Sequence, residues 1–535
     1  MSTPPVRPEG GVPFTDAHGA REWLGALPLT NIPLAQSQVL EAIVALNRAT
    51  FAPLERLKTL ELARDKVAFL QGEQRSRYFG KTLPLSANDS AAWNTGRLLL
   101  EEMEAGYRRC LEEAGDGGEI HAHRALIMQR IMRYVGAQMA FHATIYRRFD
   151  PQLWTRLHAT LADAEASGIA SDRVKDSLDS EDKGSCVMET YAQVVMLQAA
   201  YLSELTAPQM DLVEALLRRW ARKVTVRTPA LAPAEAAVAH PLAVDLAKPI
   251  GARPLAAGEA TPLHRVLDVD SVSRSIRKRL HGFSKGEDAS KLDLPREATS
   301  VDAQEQLQRL HKLWCEGAPP RPPAKIPAEK TAGLVWGILD IHFFLSGGKP
   351  FEQPGETREL TSVEKQEMEV FGRVRERTQG KLIAPHTFVA EPWAVVDEML
   401  GAWRLMRPPT ASKGVAIGRI AAMRLGDTAP FYVGMVTALS QELDGAIVAT
   451  LTLFPGRPEP VAARPGEPRT RAAQQWTPAL RLPALEKLHI ASSLIVASGL
   501  ASRGRTLEVW GEQRHALPVR ELLDRGTDFD RVVVG

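Results

Sequence analysis

Apolar positions recur at helical spacing from the N-terminus to about residue 225. In APLERLKTLELARDKVAFL (52–70), Leu54, Leu57, Leu60, Val67 and Leu70 fall near one face. ALIMQRIMRYVGAQMAFHATIY (125–146) repeats the pattern with Leu126, Ile131, Val135 and Met139. Asp150-Pro151 predicts a helix start, with Asp as N-cap and Pro at the first helical position. Trp154, Leu157 and Leu161 follow on one side. VMETYAQVVMLQAAYL (187–202) and MDLVEALLRRWARK (210–223) complete about seven expected helices. The connectors are short, and no repeat of about 34 residues suggests a solenoid. Apolar stripes of this kind are what core packing requires.

The pattern then changes twice. RTPALAPAEAAVAHPLAVDLAKPIGARP (227–254) is rich in Pro and Ala and reads as a boundary turning into short extended segments. DVDSVSRSIRKRLHGFSKGE (268–287) predicts a capped helix with Val272, Ile276 and Leu280 inward; its Arg274, Arg277, Lys278 and Arg279 spread around it as a solvated face. VDAQEQLQRLHKLWCEG (301–317) predicts another amphipathic helix, EGAPPRPPAKIP (316–327) a stiff loop, and AGLVWGILDIHFFL (332–345) a buried strand. TSVEKQEMEVFGRVRERTQGK (361–381) reads as a short helix ending in an arginine-rich turn. From Trp393 onward short alternating runs separated by turn signals predict an antiparallel barrel or sandwich, ending in ELLDRGTDFDRVVV. The expected fold class is α+β multidomain: an all-helical domain (1–225), a small α+β middle domain (226–354), and an antiparallel β-barrel domain with extra C-terminal strands (355–535).

The chain has 535 residues, too many for one core. Lys+Arg number 66 against 64 Asp+Glu, so no global field draws the protein to a nucleic-acid polymer, and an anion site has to be local. Three dispersed cysteines exclude a disulfide framework and fit a reducing compartment. The start MSTPPVRPEGGVPF lacks an apolar signal core, and no apolar run is long enough to insert in a membrane. The expectation is a cytoplasmic protein.

The chemistry concentrates in RVRERTQGKLIAPHTFVAEPWAVVDEMLGAW (373–403). Arg373 and Arg377 stand four apart, a spacing that puts both forks on one side of a helical turn or an extended segment. Guanidinium is suited to phosphate because its planar fork bonds two oxygens at once. Twenty residues beyond Arg377 comes Asp397, whose carboxylate can accept from a guanine edge. By itself the Arg pair also fits a charged helix C-terminus.

R-x-x-x-R, about twenty residues, then D/N-x-S-x-x-G is the signature of PilZ domains, six-stranded barrels that bind the bacterial second messenger cyclic di-GMP. Arg373–Arg377 matches its first half and D397-E-M-L-G-A402 resembles its second. The layout also resembles that of large bacterial cytoplasmic proteins carrying a PilZ domain after a long helical region; WAVVDEMLGAWRLMRP, LFPGRPEPVAAR, PALRLPAL and LLDRGTDFDRVVV have their cadence, as do DVDSVSRSIRKRL and HFFLSGGKPF. The resemblance implies a ligand site formed by Arg373, Arg377, Asp397, Met399, Gly401 and Ala402, with cyclic di-GMP as ligand and control of motility and surface attachment as output. Two positions depart. Met399 replaces Ser, removing a hydrogen bond worth ~1–3 kcal/mol to a charged ligand. Ala402 replaces Gly, costing ~1 kcal/mol or more where the backbone needs positive φ, although Gly401 lies one position early. Together they weaken binding by about a hundredfold. Two readings stay open: a non-enzymatic cyclic di-GMP receptor, and a degenerate PilZ-like adaptor that ignores nucleotide and works by protein contacts, with a protein partner or a second copy of itself.

Other chemistry is sparse. His121 and His123 point about 200° apart on a helix and do not share a metal easily; His142 and His158 read as core or exposed histidines. No G-x-S-x-G, P-loop or G-x-G-x-x-G occurs. Cys186 sits at an expected helix start, where a thiol pKa can fall, but no His partner accompanies it. Neither a catalytic residue, a metal nor a cofactor is expected.

Overall fold

The computed structural model describes residues 11–113, 118–178, 184–229, 241–256, 258–317, 330–355, 387–409, 413–426, 429–466 and 475–535. The chain divides into two compact units, one of residues 1–323 with 440–445, the other of 324–439 with 446–535. The architecture is α+β and multidomain, as expected.

The first unit opens with eight α-helices among the described residues: α1 (Ala17–Gly25), α2 (Ile32–Arg48), α3 (Pro53–Gln74), α4 (Ala87–Glu112), α5 (Arg124–Ala143), α6 (Gln152–Ala166), α7 (Val187–Gln198) and α8 (Ala207–Trp220). Their starts follow local chemistry. Asp16, Asn31 and Ser86 side chains accept from backbone N–H groups in the first turns of α1, α2 and α4, and Thr206 with Gln209 forms a capping box on α8. α6 begins one residue later than expected, with Pro151 as N-cap and Asp150 Oδ1 accepting from Gln152 N at 2.9 Å. The apolar faces foreseen on α3, α5 and α6 are buried except at Leu54 and Leu126, which are half-buried.

The same unit continues with β1 (Thr225–Arg227), β2 (Leu242–Asp245), β3 (Arg253–Pro254) and β4 (His264–Asp268), a sheet of order β1-β4-β2-β3, then α9 (Asp270–Ser284) and α10 (Ala303–Cys315). One expectation about α9 is corrected. Arg274, Arg277 and Lys278 are exposed, but Arg279 is buried, donating to Asp293 Oδ2 at 2.9 Å.

The second unit begins with β5 (Thr331–Trp336) and α11 (Ile338–Leu345). Residues 332–345 are therefore a strand and a helix, not one strand. Gly337, at φ 81°, ψ 151°, breaks the extended run between them, in a region that suits glycine. β5, assigned by its position in the sequence to the middle section, is hydrogen-bonded into a barrel. It pairs with β6 (Glu391–Met399) and, on its other edge, with β8 (Ile420–Leu425). With β7 (Ala402–Arg407), β9 (Tyr432–Gln441) and β10 (Ile447–Leu453) they close in the order β10-β7-β6-β5-β8-β9.

The strands expected as extras form a second closed barrel. β11 (Glu459–Pro465), β12 (Thr477–Leu482), β13 (Ser493–Ala497), β14 (Thr506–Trp510), β15 (Arg514–Arg525) and β16 (Phe529–Val534) close as β11-β12-β13-β16-β15-β14. One buried cluster bridges the two barrels, and the second barrel has another of its own. Val335 and Ile420 of the first, Ile338 and Ile341 of α11, and Leu480, Ile495 and Phe529 of the second lie in a single buried cluster. Closure leaves neither barrel a free edge.

Candidate functional site

The β6–β7 hairpin carries the described half of the expected site. Glu391, Trp393 and Val395 of β6 and Leu405 and Arg407 of β7 are buried, so these residues define the inward face. Val395 pairs with Leu405. A β-bulge follows, and the next pair is Asp397 with Arg404, then Glu398 with Trp403 and Met399 with Ala402. Cross-strand partners share a face, so Asp397, Arg404, Met399 and Ala402 lie together on the outward side, each half-buried.

Leu400 and Gly401 close the hairpin as a two-residue turn. Leu400 is fully exposed, and Gly401 takes φ 73° with no heavy atom near a would-be Cβ. A left-handed second residue is the signature of a type II turn, which favours glycine there. The Gly401 carbonyl accepts from Leu453 N at 2.8 Å, tying the turn to the end of β10. Ala402 is an ordinary strand residue in register with Met399 and Thr452, without positive φ. The backbone freedom foreseen as a need at position 402 is thus supplied at 401.

β10 extends the outward face. Arg404 pairs with Thr450 and Ala402 with Thr452, giving two rows: Asp397–Arg404–Thr450 and Met399–Ala402–Thr452. Thr437 Oγ1 and Thr452 Oγ1 are 2.8 Å apart. Among the described residues neither the Asp397 nor the Arg404 side chain makes a hydrogen bond or ion pair, although the two face each other across the strands. Arg373 and Arg377 lie outside the described residues, as does the helix expected at 361–381. Asp397, Met399, Gly401 and Ala402 are brought together on one hairpin. Sequence reasoning missed Arg404 and the β10 threonines; the alternation of β7 marked Arg404 as outward, but the β10 partners follow only from long-range register.

A polar cluster beneath the hairpin fixes its inward face. Arg407 Nη1 donates to Glu391 Oε2 at 3.0 Å, as does Trp336 Nε1 at 3.2 Å. Arg407 Nη2 donates to the Lys413 carbonyl at 2.6 Å, and Lys413 Nζ bonds Asp340 Oδ2 at 2.7 Å. The Arg407 guanidinium sits 5.0 Å from the Trp393 ring centroid. Burial pulls the Arg407 pKa below its ordinary value, with Glu391 opposing the pull. Removing Glu391 would leave a buried cation without its counter-charge.

The helical region contains a second buried charge network. Arg64 donates to Asp176 at 2.6 Å, Arg133 pairs with Asp176 at 2.6 Å, and Arg130 donates to both oxygens of Glu61 at 2.9 Å. Burial pushes the Glu61 and Asp176 carboxyls up, but hydrogen bonding and the nearby arginines prevail and hold both below the usual carboxylate values. Burial, reinforced by the neighbouring Tyr134 and Glu61, drives the Tyr107 hydroxyl well above its ordinary pKa, and that hydroxyl donates to Glu61. Arg130 also donates to Gln129 and the Lys175 carbonyl, so its fork is fully engaged by the protein.

Cys186 is the N-cap of α7, as foreseen, but burial raises its thiol pKa instead of lowering it. Burial also raises Cys315, to about 12. Ser273 Oγ lies 3.0 Å from His311 Nε2, and His311 Nδ1 lies 2.9 Å from Glu316 Oε1. Arg277 Nε–H donates at 3.2 Å to the same Nε2, so that lone pair is shared and poorly placed to take a proton from Ser273. No group of three or more metal-binding side chains gathers among the described residues. No helix among them is long and apolar enough to cross a membrane.

Residues 18–231 match the family model for the N-terminal domain of the cyclic-di-GMP receptor FimW. No curated protein and no solved structure matches the chain. The matched segment takes in the helices from α1 to α8 and ends before the barrels, so the helical region is similar to part of a cyclic-di-GMP receptor while the hairpin site stands on its geometry alone.

Proposed function

We propose that this chain is a non-enzymatic receptor for cyclic di-GMP, acting in the cytoplasm, and that its first barrel holds the nucleotide. The match of residues 18–231 to the N-terminal domain of a cyclic-di-GMP receptor carries the reading. A closed six-stranded barrel bearing Asp397 on an outward hairpin supports a PilZ-like site. In this reading Arg373 and Arg377 clamp the phosphates and Asp397 accepts from a guanine edge. Binding would join Arg373 and Arg377 to Asp397 through the ligand and so shift a conformational equilibrium. Met399, where the signature has Ser, favours a second reading, a PilZ-like adaptor that works through protein contacts.

Calorimetric titration of the full chain with cyclic di-GMP, beside an Arg373→Ala/Arg377→Ala double variant, tests the proposal. Micromolar or tighter binding that the double variant abolishes is the expected result. An absence of heat with the unaltered chain at high ligand concentration overturns it and leaves the adaptor reading.

A further inference from the structure

We infer that Arg404 is a ligand-binding residue of the first barrel: in one row with Asp397 and Thr450, it bonds a phosphodiester oxygen of the cyclic dinucleotide and so substitutes for the hydrogen bond that Met399, lacking a hydroxyl, does not make. The inference rests on the reading of this barrel as a nucleotide-binding domain.

Three observations carry it. Arg404 faces outward, paired across the strands with half-buried Asp397 just past the bulge on one side and with buried Thr450 on the other. Position 399 lies on the same face one pair further along, so a ligand lying over the hairpin spans both rows. Successive same-face pairs are about 7 Å apart along a strand, within the reach of one Arg side chain plus one nucleotide. Finally, Arg404 and Asp397 are half-buried and directly opposed, yet they form no ion pair with each other or with any other described residue. Other arginines of this unit behave differently. Arg464 and Arg514 bond Glu508, and Arg531 bonds Asp524.

A guanidinium and a carboxylate on paired positions, neither bonded to another described side chain, have the polarity a guanine nucleotide requires. The guanidinium fork takes two phosphate oxygens, and the carboxylate accepts guanine N–H groups. Asp397 keeps its expected role; Arg404 is the added member.

The full chain is titrated with cyclic di-GMP as unaltered protein and as Arg404→Ala, Arg404→Lys and Arg404→Gln, with Arg520→Ala on the second barrel as control. Melting curves establish that each variant folds; Gln preserves side-chain bulk should Ala prove unstable. The expected result is binding by the unaltered chain, weakened about tenfold or more by Ala and Gln. Lys, which keeps the charge but loses the fork, falls between, and Arg520→Ala matches the unaltered chain. If Ala and Gln bind like the unaltered chain while the Arg373→Ala/Arg377→Ala variant does not bind, the role of Arg404 is overturned and the receptor reading stands. If the unaltered chain does not bind, both fall together.

Discussion

The two departures from the PilZ signature, Met399 and Ala402, are separable, because one concerns a side chain and the other only the backbone. Ala402→Gly is the informative perturbation. A glycine helps where φ is positive, but in this hairpin Gly401 already holds φ 73° and Ala402 is paired with both Met399 and Thr452 inside β7. Adding glycine there gains no accessible conformation that the fold uses. It increases the freedom of the unfolded chain and destabilises by about 0.5–1 kcal/mol. Met399→Ser differs, since it restores a hydroxyl on the face shared with Asp397 and Arg404. One hydrogen bond to a charged ligand is worth about 1.5–3 kcal/mol, a tightening of roughly tenfold or more. Cyclic di-GMP titrations and denaturant melts on the two single variants read affinity and stability independently. The expected outcome is tighter binding for Met399→Ser, unchanged affinity for Ala402→Gly, and slightly lower stability for the latter. Tightening by Ala402→Gly alone would refute the assignment of the turn's left-handed residue to position 401.

Two further predictions concern stability. Asp176→Ala strips the nearest counter-charge from Arg64 and Arg133, both 2.6 Å away, leaving the buried Arg64 with only Glu61 at 3.5 Å; a loss of about 3–5 kcal/mol is expected in chemical denaturation, and a loss below about 1 kcal/mol would show that solvent reaches the network. His158, buried between Tyr191 Oη at 3.0 Å and the Ile250 carbonyl at 3.0 Å, is held below the ordinary histidine pKa by burial. The unfolded chain therefore takes up its proton first, so the contribution of this group is complete above about pH 6.5, the ordinary histidine value, and is lost as pH falls below it. Melting temperature measured from about pH 7 down to about pH 5 should decline, and His158→Gln should make the decline shallower; an unchanged slope would exclude His158 as a contributor.

Much of the helical region was legible because its faces are long enough to show a period. α3 and α5 run 22 and 20 residues, and capping residues mark several starts. α11 was not legible. Its eight residues, ILDIHFFL, are apolar on most sides and give no contrast between faces, so the segment merged with the strand before it. The single expected barrel became two because closure depends on pairings remote in sequence. β11 with β14 and β13 with β16 carry no local mark that distinguishes a closed sheet from trailing strands. At the site, the identity of Asp397 was readable from a motif, but its neighbours were not. The bulge after Val395 resets which β7 residue faces it, and the bulge is visible only once both strands are paired.

The period-two geometry of the hairpin also explains how a binding motif can erode on an intact scaffold. The fold of β6 and β7 is specified by the inward residues: Trp393, Val395, Leu405, and the Arg407–Glu391 pair with its Trp336 donor. A one-residue slip would turn the β6 or β7 members outward and break the Arg407–Glu391 pair and the Trp336 bond to Glu391, so register is strongly held. The outward residues bear none of that burden. Met399 can replace a serine there with little effect on folding, because its side chain is half-buried and opposite a small alanine. Exchanging one recognition group for another, such as Arg404, therefore costs the barrel little stability, and the ligand preference of this face can change without the fold recording it. The same independence means that melting curves alone will not distinguish a receptor from an adaptor. Only a titration that varies outward residues against a constant inward set separates them.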